Sequence, residues 1–190
     1  MRCQTFDAPL GAKPVMTLLG SVQTTTLVVV MIEEQYMITL RKATEEELPQ
    51  IHNIQIMGFA PVLEKYRDYE TNPGAEEFEK VRLRFGQSFT DYYFICRNEL
   101  PVGMLRVCNF GEKCRISPIC IIPEFRGKGY GQAALRLVED HYPDARCWEL
   151  DTILQEDKLC RLYEKLGYYR TGKYETIRDG MDLVYYKKVR

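Results

Sequence analysis

Cys120-Ile121-Ile122-Pro123-Glu124-Phe125-Arg126-Gly127-Lys128-Gly129-Tyr130-Gly131-Gln132-Ala133-Ala134-Leu135 is the stretch around which the chain is organised. An apolar run from Ile119 to Ile122 reads as a buried strand. A loop follows with three glycines at alternate positions, flanked by Arg126 and Lys128. Ala134, Leu135, Val138 and Tyr142 then recur at helical spacing, with Gly131 on the same face. Glycines let the backbone turn sharply and let its N–H groups approach a ligand. The helix start adds unpaired N–H groups and the positive end of the dipole. Strand, glycine loop and helix together make a site for a phosphate or pyrophosphate, or else a solvated connector. Two common phosphate motifs do not fit. No Ser or Thr follows Lys128, as a P-loop requires, and Gly127-x-Gly129-x-Gly131 lacks the spacing of the dinucleotide fingerprint.

The totals bound the rest. A chain of 190 residues, 45% hydrophobic and 28% charged, predicts one ordinary globular domain with a sizeable core. A net charge of −1 gives no electrostatic case for nucleic acid or an anionic membrane surface. No apolar run is long enough to span a bilayer. The seven cysteines are scattered, without C-x-x-C, which predicts reduced thiols in a cytoplasmic protein and no metal site. His52 and His141 are too isolated to be ligands and read as surface or packing residues.

Residues 1–36 read as an N-terminal extension. Its β-branched run, Thr24 to Ile32, comes too late and is too short for a secretory signal. It is either an added strand or a loosely held segment, and 37–190 is expected to fold without it. From Met37 the pattern predicts a strand over 37–43, then a capping box at Thr44-Glu45-Glu46-Glu47. A helix with Leu48, Ile51 and Ile54 on its apolar face is expected to end around Gly58 to Pro61, with Pro49 near its start. Residues 61–90 read as helical in parts, broken at Asn72-Pro73-Gly74. Glu64, Asp68 and Glu70, among Tyr66 and Tyr69, are either a solvated face or the acidic, aromatic-walled side of an amine pocket. Strands follow at 92–96, 102–108 and 114–122, then the glycine loop and a helix over 131–142. A strand at 147–153, a helix closed by Gly167, and strands near 168–176 and 181–188 complete the chain. The order β-α-α-β-β-β-α-β-α-β-β predicts an α/β (α+β) fold. Its mixed, mainly antiparallel sheet has about seven strands, with helices on both sides. The crossover at 114–153 places its two strands parallel and close together.

This order of elements, together with Arg126, Gly129 and Gly131 in the spacing Arg-x-x-Gly-x-Gly, resembles the GNAT superfamily of acetyl-CoA-dependent N-acetyltransferases. Leu162-Tyr163-Glu164-Lys165-Leu166-Gly167-Tyr168 resembles the family's later helix, which ends in Tyr, three residues, Gly and an aromatic. The resemblance covers residues 37–188. It implies acetyl-CoA (coenzyme A) as cosubstrate, its pyrophosphate on Arg126, Gly127, Lys128, Gly129, Tyr130 and Gly131. It further implies that the pantetheine arm pairs with the backbone of Ile119, Cys120 and Ile121, beside a neighbouring strand that splays away. An N–H of that strand would stabilise the oxyanion. Tyr163 matches the family's general acid for the leaving thiolate; read from its helix alone, it is a core residue.

Two positions depart from the family pattern. Glu156 stands where many members carry an Asn, and the strand 114–122 offers no carboxylate as base. Asp151, Glu149, water or an already unprotonated amine remain as routes for the amine's proton. Cys120 has no neighbouring base in sequence and is not expected to act as a nucleophile. The implied function is transfer of an acetyl group to an amine of a small molecule or peptide by direct attack in a ternary complex. An acyl-CoA sensor without turnover is the alternative, and a nucleotide-binding domain a third. The acceptor is expected near 59–71 and the final hairpin, with a homodimer as the expected assembly and no nucleic acid or membrane partner.

Overall fold

The structure, a computed structural model, describes residues 37–190. Of residues 1–36 it describes only two short strands, β1 (Pro14–Val15) and β2 (Val30–Met31), which pair antiparallel. The expectations for 1–36 otherwise lie outside the described residues. Contacts divide the chain into two compact units, Met1–Met37 and Ile38–Arg190.

In the second unit the elements run β3 (Ile38–Lys42), α1 (Leu48–Tyr66), α2 (Phe78–Phe85), β4 (Thr90–Arg97), β5 (Leu100–Asn109) and β6 (Lys113–Ile121). They continue with α3 (Tyr130–His141), β7 (Cys147–Ile153), α4 (Asp157–Lys165), β8 (Tyr169–Arg178) and β9 (Met181–Val189). The seven strands form one sheet in the order β3-β4-β5-β6-β7-β9-β8. Every neighbouring pair is antiparallel except β6 and β7, the two strands of the crossover. The order of elements and the mixed sheet are those the sequence predicts.

Side-chain alternation builds a core on each face of the sheet. On β4, Tyr92, Phe94 and Cys96 pack toward Leu48, Ile51, Ile54 and Val81 of α1 and α2. Tyr93 and Ile95 point the other way, into a cluster with Ala134, Leu135 and Val138 of α3 and Cys160 and Tyr163 of α4. β4 is therefore buried on both sides, whereas β8, at the sheet edge, is exposed along most of its length.

The Glu47 carboxylate accepts from the Thr44 backbone N–H (3.1 Å), as a capping box requires. A single 3₁₀ turn, Glu45–Glu47, precedes α1, so Pro49 falls in the first turn, where its missing N–H costs nothing. The end of α1 corrects the sequence reading. The helix does not stop at Gly58 to Pro61 but runs through Pro61 to Tyr66. Arg67 ends it at φ 53°, its N–H given to the Leu63 carbonyl (2.7 Å). Pro61 deprives only the Met57 carbonyl of its helical donor, and Met57 is exposed, so water can replace it. Gly58 is a packing residue rather than a stop. A Cβ there would lie 2.4 Å from Cys120 Sγ and 2.7 Å from its Cβ. Gly58→Ala is therefore expected to destabilise the protein although alanine is the better helix former by about 1 kcal/mol. Overpacking of about 1–3 kcal/mol works against that gain, and thermal unfolding should show a Tm lowered by several degrees.

The feature that positions the site is the parting of β6 and β7. They pair at Lys113 with Cys147, Cys114 with Trp148 and Arg115 with Glu149, and no further. On the β5 side the register of β6 shifts between Ile116 and Ile119, so Arg106 faces the extra residues Ser117 and Pro118. Such a bulge bends its strand. The Arg106 guanidinium holds the bend through the Ser117 carbonyl (2.5 Å). Beyond it, one edge of β6 is left open.

Candidate active site

Which groups line that open edge follows from alternation. The Ile122 N–H goes to the Val102 carbonyl on β5 (2.9 Å). Backbone groups alternate sides along a strand, so Ile121 and Ile119 turn toward the gap and Cys120 turns toward β5. The Ile121 carbonyl does receive a bond from the gap side, from Arg126 Nε (2.9 Å). Ile119 therefore presents both N–H and C=O to the gap. Cys120 instead sends its side chain under α1, with Sγ 3.6 Å from the Ile54 carbonyl. Burial pushes its thiol up to about 12, which removes it as a nucleophile at neutral pH.

The glycine loop closes one end of the gap. Gly127 and Gly129 have φ of 76° and 79°, and a Cβ on either would meet no atom within 4 Å. The protein does not fill the space in front of them. Among the described residues the first backbone N–H of this region with a backbone acceptor is that of Ala133, bonded to the Gly129 carbonyl (3.0 Å). The N–H groups of 127–131 are left for an anion at the start of α3. Arg126 is occupied elsewhere. Besides Ile121 it bonds the Gly58 carbonyl, tying the loop to α1. Lys128 stays at the surface, its Nζ 3.4 Å from the Glu124 carbonyl. The Tyr130 ring is buried in the core, so only its backbone serves the loop.

A cavity of about 730 Å³ runs from this loop along β6 to α4. It is lined by Ile119, Cys120, Ile121, Arg126, Gly127, Gly129, Tyr130, Gly131 and Tyr163, and also by Gly58, Phe59 and Val62 of α1 and Lys158 and Leu159 of α4. The sequence reading assigned none of these α1 residues to the loop's cavity: Val62 lies beyond where it ended the helix, and Gly58 was read as part of that end.

A second cavity, of about 340 Å³, lies on the other side of a shared wall made by Phe59, Val62, Ile119, Glu156, Leu159 and Tyr163. It is lined further by Asp68 and Thr71 after α1, by Arg115, Ser117 and Asp151, and by Glu175, Ile177, Met181 and Tyr185 of the last hairpin. Glu64 and Glu70 are exposed; only Asp68 of that acidic stretch turns inward. Asp151 pairs with Arg115 (2.5 Å), and burial holds its carboxyl above the usual range against the pull of that guanidinium. Glu149, the other carboxylate of β7, is paired with Lys113 (2.8 Å) and lines neither cavity.

Tyr163 belongs to both cavities, and its position is fixed by how α4 ends. Gly167, at φ 88°, lets the Tyr168 N–H reach the Tyr163 carbonyl (3.0 Å) and its own N–H reach that of Glu164 (3.0 Å). This is a Schellman cap, with the Tyr163 and Tyr168 rings in contact (6.2 Å between centroids) as its apolar clasp. The Tyr-x-x-x-Gly-aromatic spacing is thus a device for holding one tyrosine. Burial raises the Tyr163 phenol well above its ordinary value, and nearby Asp151 adds to the rise. It is a phenol, not a phenolate, at neutral pH. Immediately before α4, at its N-cap, Glu156 accepts from Lys65 Nζ (2.6 Å) and the Tyr66 hydroxyl (2.7 Å), strapping the end of α1 over the junction of the cavities.

The model of the acetyltransferase (GNAT) family matches residues 51–168. Among curated protein sequences, none matches the chain. Solved structures share the fold. The ribosomal-protein-S18-alanine N-acetyltransferase from Escherichia coli superposes with a TM-score of 0.65 at 14% identity, over 80% of this chain and 94% of that one. Spermidine N-acetyltransferase from Vibrio cholerae, in complex with CoA and spermine, gives 0.64 at 18% identity, over 80% and 95%. An acetyl transferase from Salmonella typhimurium that modifies the N-terminal serine of ribosomal protein L7/L12 gives 0.64 at 16% identity, over 83% and 96%.

Proposed function

Because the chain belongs to the acetyltransferase (GNAT) family, we propose that it transfers an acetyl group from acetyl-CoA to a primary amine by direct attack in a ternary complex. The observation that carries the reading is Tyr163, a buried phenol on the wall between two cavities. One cavity suits the cosubstrate in its backbone donors: free N–H groups at 127–131 for a pyrophosphate, and the unpaired edge at Ile119 for an extended amide chain.

Acetyl-CoA supplies an activated carbonyl, at which a C–N bond forms as the C–S bond breaks. The Ile119 N–H is the strand donor for the developing oxyanion, since the preceding residue, Pro118, has none. Tyr163 gives its proton to the departing sulfur, which its raised pKa keeps available. Asp151, in the second cavity, takes the proton that the amine sheds, with Arg115 holding the carboxylate in place. The chain's neighbours in fold are named for spermidine, for an alanine of ribosomal protein S18 and for the N-terminal serine of L7/L12, so both small and protein amines are represented among them.

Calorimetry with acetyl-CoA, followed by thiol release with a panel of amines, tests the reading. Micromolar binding and amine-dependent release are the expected outcome. Binding without release on any amine would mark the chain as an acyl-CoA sensor instead.

A further inference from the structure

Resting on that reading, we infer that Glu156 is a positioning residue through which a cosubstrate in the first cavity stiffens the wall of the second. Six residues border both cavities: Phe59, Val62, Ile119, Glu156, Leu159 and Tyr163. Glu156 is the one charged group among them, so its interactions depend most on how much water stands beside that wall. Its main chain is fixed at the start of α4. The N–H goes to the Ile153 carbonyl (3.0 Å), and its own carbonyl accepts from the N–H groups of Leu159 (2.8 Å) and Cys160 (3.1 Å). Its carboxylate reaches across to the last turn of α1.

What it holds there is the root of the acceptor side. Lys65 Nζ and the Tyr66 hydroxyl both donate to Glu156 Oε1. Arg178 of β8 donates to the Tyr66 carbonyl (2.7 Å) and to the Arg67 carbonyl, closing the clasp from the other direction. The chain leaves the clasp at Arg67, and Asp68, Thr71, Asn72 and Pro73 follow as lining of the second cavity. This segment braces itself: Asp68 accepts from the N–H groups of Glu70 (3.2 Å) and Thr71 (3.0 Å), and Asn72 from that of Gly74 (2.7 Å). Stiff within itself, it takes its placement from the last turn of α1. Glu156 grips that turn and also borders the cosubstrate's cavity.

The grip is one that a ligand can strengthen. The Lys65 and Glu156 side chains are 56% and 26% exposed, and an ion pair open to water holds weakly. Burial works to raise the Glu156 carboxyl, yet Lys65 and Tyr66 outweigh it and hold the carboxyl below its usual range, so the pair is charged at neutral pH. An acyl-pantetheine arm in the first cavity displaces water from the shared wall. A Glu156 parted from Lys65 would then be an unpaired carboxylate in a closed site, so the parted state becomes costlier than before. The clasp on α1 tightens, and residues 68–73 with it. A neutral amide at this position would carry no charge to strand. By linkage the effect is mutual: whatever steadies 68–73 also favours the cosubstrate.

Amide hydrogen exchange tests this on the full chain, with acetyl-CoA as the probe and no acceptor present. In the wild type, acetyl-CoA should slow exchange over 119–131, which borders its own cavity. It should also slow exchange over 64–71 by about fivefold or more, the scale of an ordinary coupling between sites. In Glu156→Gln the slowing over 119–131 should remain and that over 64–71 should be lost. A Glu156 that only steadied the fold would behave differently: its loss would speed exchange over 64–71 equally with and without acetyl-CoA. Lys65→Met, at an exposed position, should abolish the same difference, and Lys65→Arg, which keeps the charge, should preserve it. Slowing over 119–131 alone in the wild type, or slowing over 64–71 that survives Glu156→Gln or Lys65→Met, overturns the inference and leaves the transferase reading standing. No slowing anywhere, with no heat of binding by calorimetry, overturns the transferase reading and the inference with it.

Discussion

Tyr163→Phe is expected to lower kcat for acetyl transfer by about 10²-fold or more, the usual contribution of a general acid, while acetyl-CoA affinity and Tm barely change. The substitution is close to a pure deletion of the hydroxyl. Tyr163 is 5% exposed, and its ring contacts Tyr168 and Tyr186 at centroid distances of 6.2 and 5.9 Å, contacts that phenylalanine keeps. The backbone bonds of the Schellman cap are untouched by the change. Among the described residues no hydrogen bond to the hydroxyl is lost, so no buried partner there is orphaned. A tyrosine serving only the core would lose stability or nothing at all; a tyrosine serving the thiolate loses turnover alone. Parallel measurement of thiol release, acetyl-CoA calorimetry and thermal unfolding distinguishes these. Full turnover in the variant would return Tyr163 to the core.

The same residue shows what was legible in the sequence and what was not. Tyr163, Gly167 and Tyr168 lie within six residues, and the cap they form is local, so spacing alone reveals it. Gly127 and Gly129 are likewise legible, because left-handed backbone at a helix start favours glycine. The alternation of β4 and the 3.6-residue periods of α3 and α4 gave the order of elements. The misread features are those decided by distant contacts. Gly58 and Pro61 carry the local signals of a helix end, yet α1 continues because Gly58 fits against Cys120, sixty-two residues away in sequence. Arg126 looks like a phosphate ligand beside a glycine loop, but Gly58 and Ile121 supply carbonyls that occupy it. Asp151 and Glu149 share one face of β7 in sequence terms. Only the parting of β6 and β7 just beyond Glu149 separates them, leaving Glu149 paired with Lys113 and Asp151 inside a cavity. No local pattern encodes where two strands stop pairing.

Asp151→Asn is the second change with a large expected effect: a fall in kcat of about 10²-fold or more, together with loss of the acidic limb of the pH–rate profile. The sign follows from the site. A base acts only when ionised, so wild-type activity rises with pH as Asp151 loses its proton. Burial holds this carboxyl above the ordinary range, opposed by Arg115 and reinforced by Glu175, so the rise falls at a higher pH than a solvated aspartate would give. Asparagine keeps the shape and an oxygen for the Arg115 bond (2.5 Å in the native pair) but has no proton to exchange. Arg115, 32% exposed, keeps partial contact with water, so the fold should survive the loss of its counter-charge. The variant's residual rate should therefore be flat in pH across the region where the wild type climbs. A residual rate that still climbs with the same midpoint would assign the limb to another group and the amine's proton to water. Glu175→Gln gives the internal control, since removing that negative neighbour should move the wild-type midpoint down without abolishing the limb.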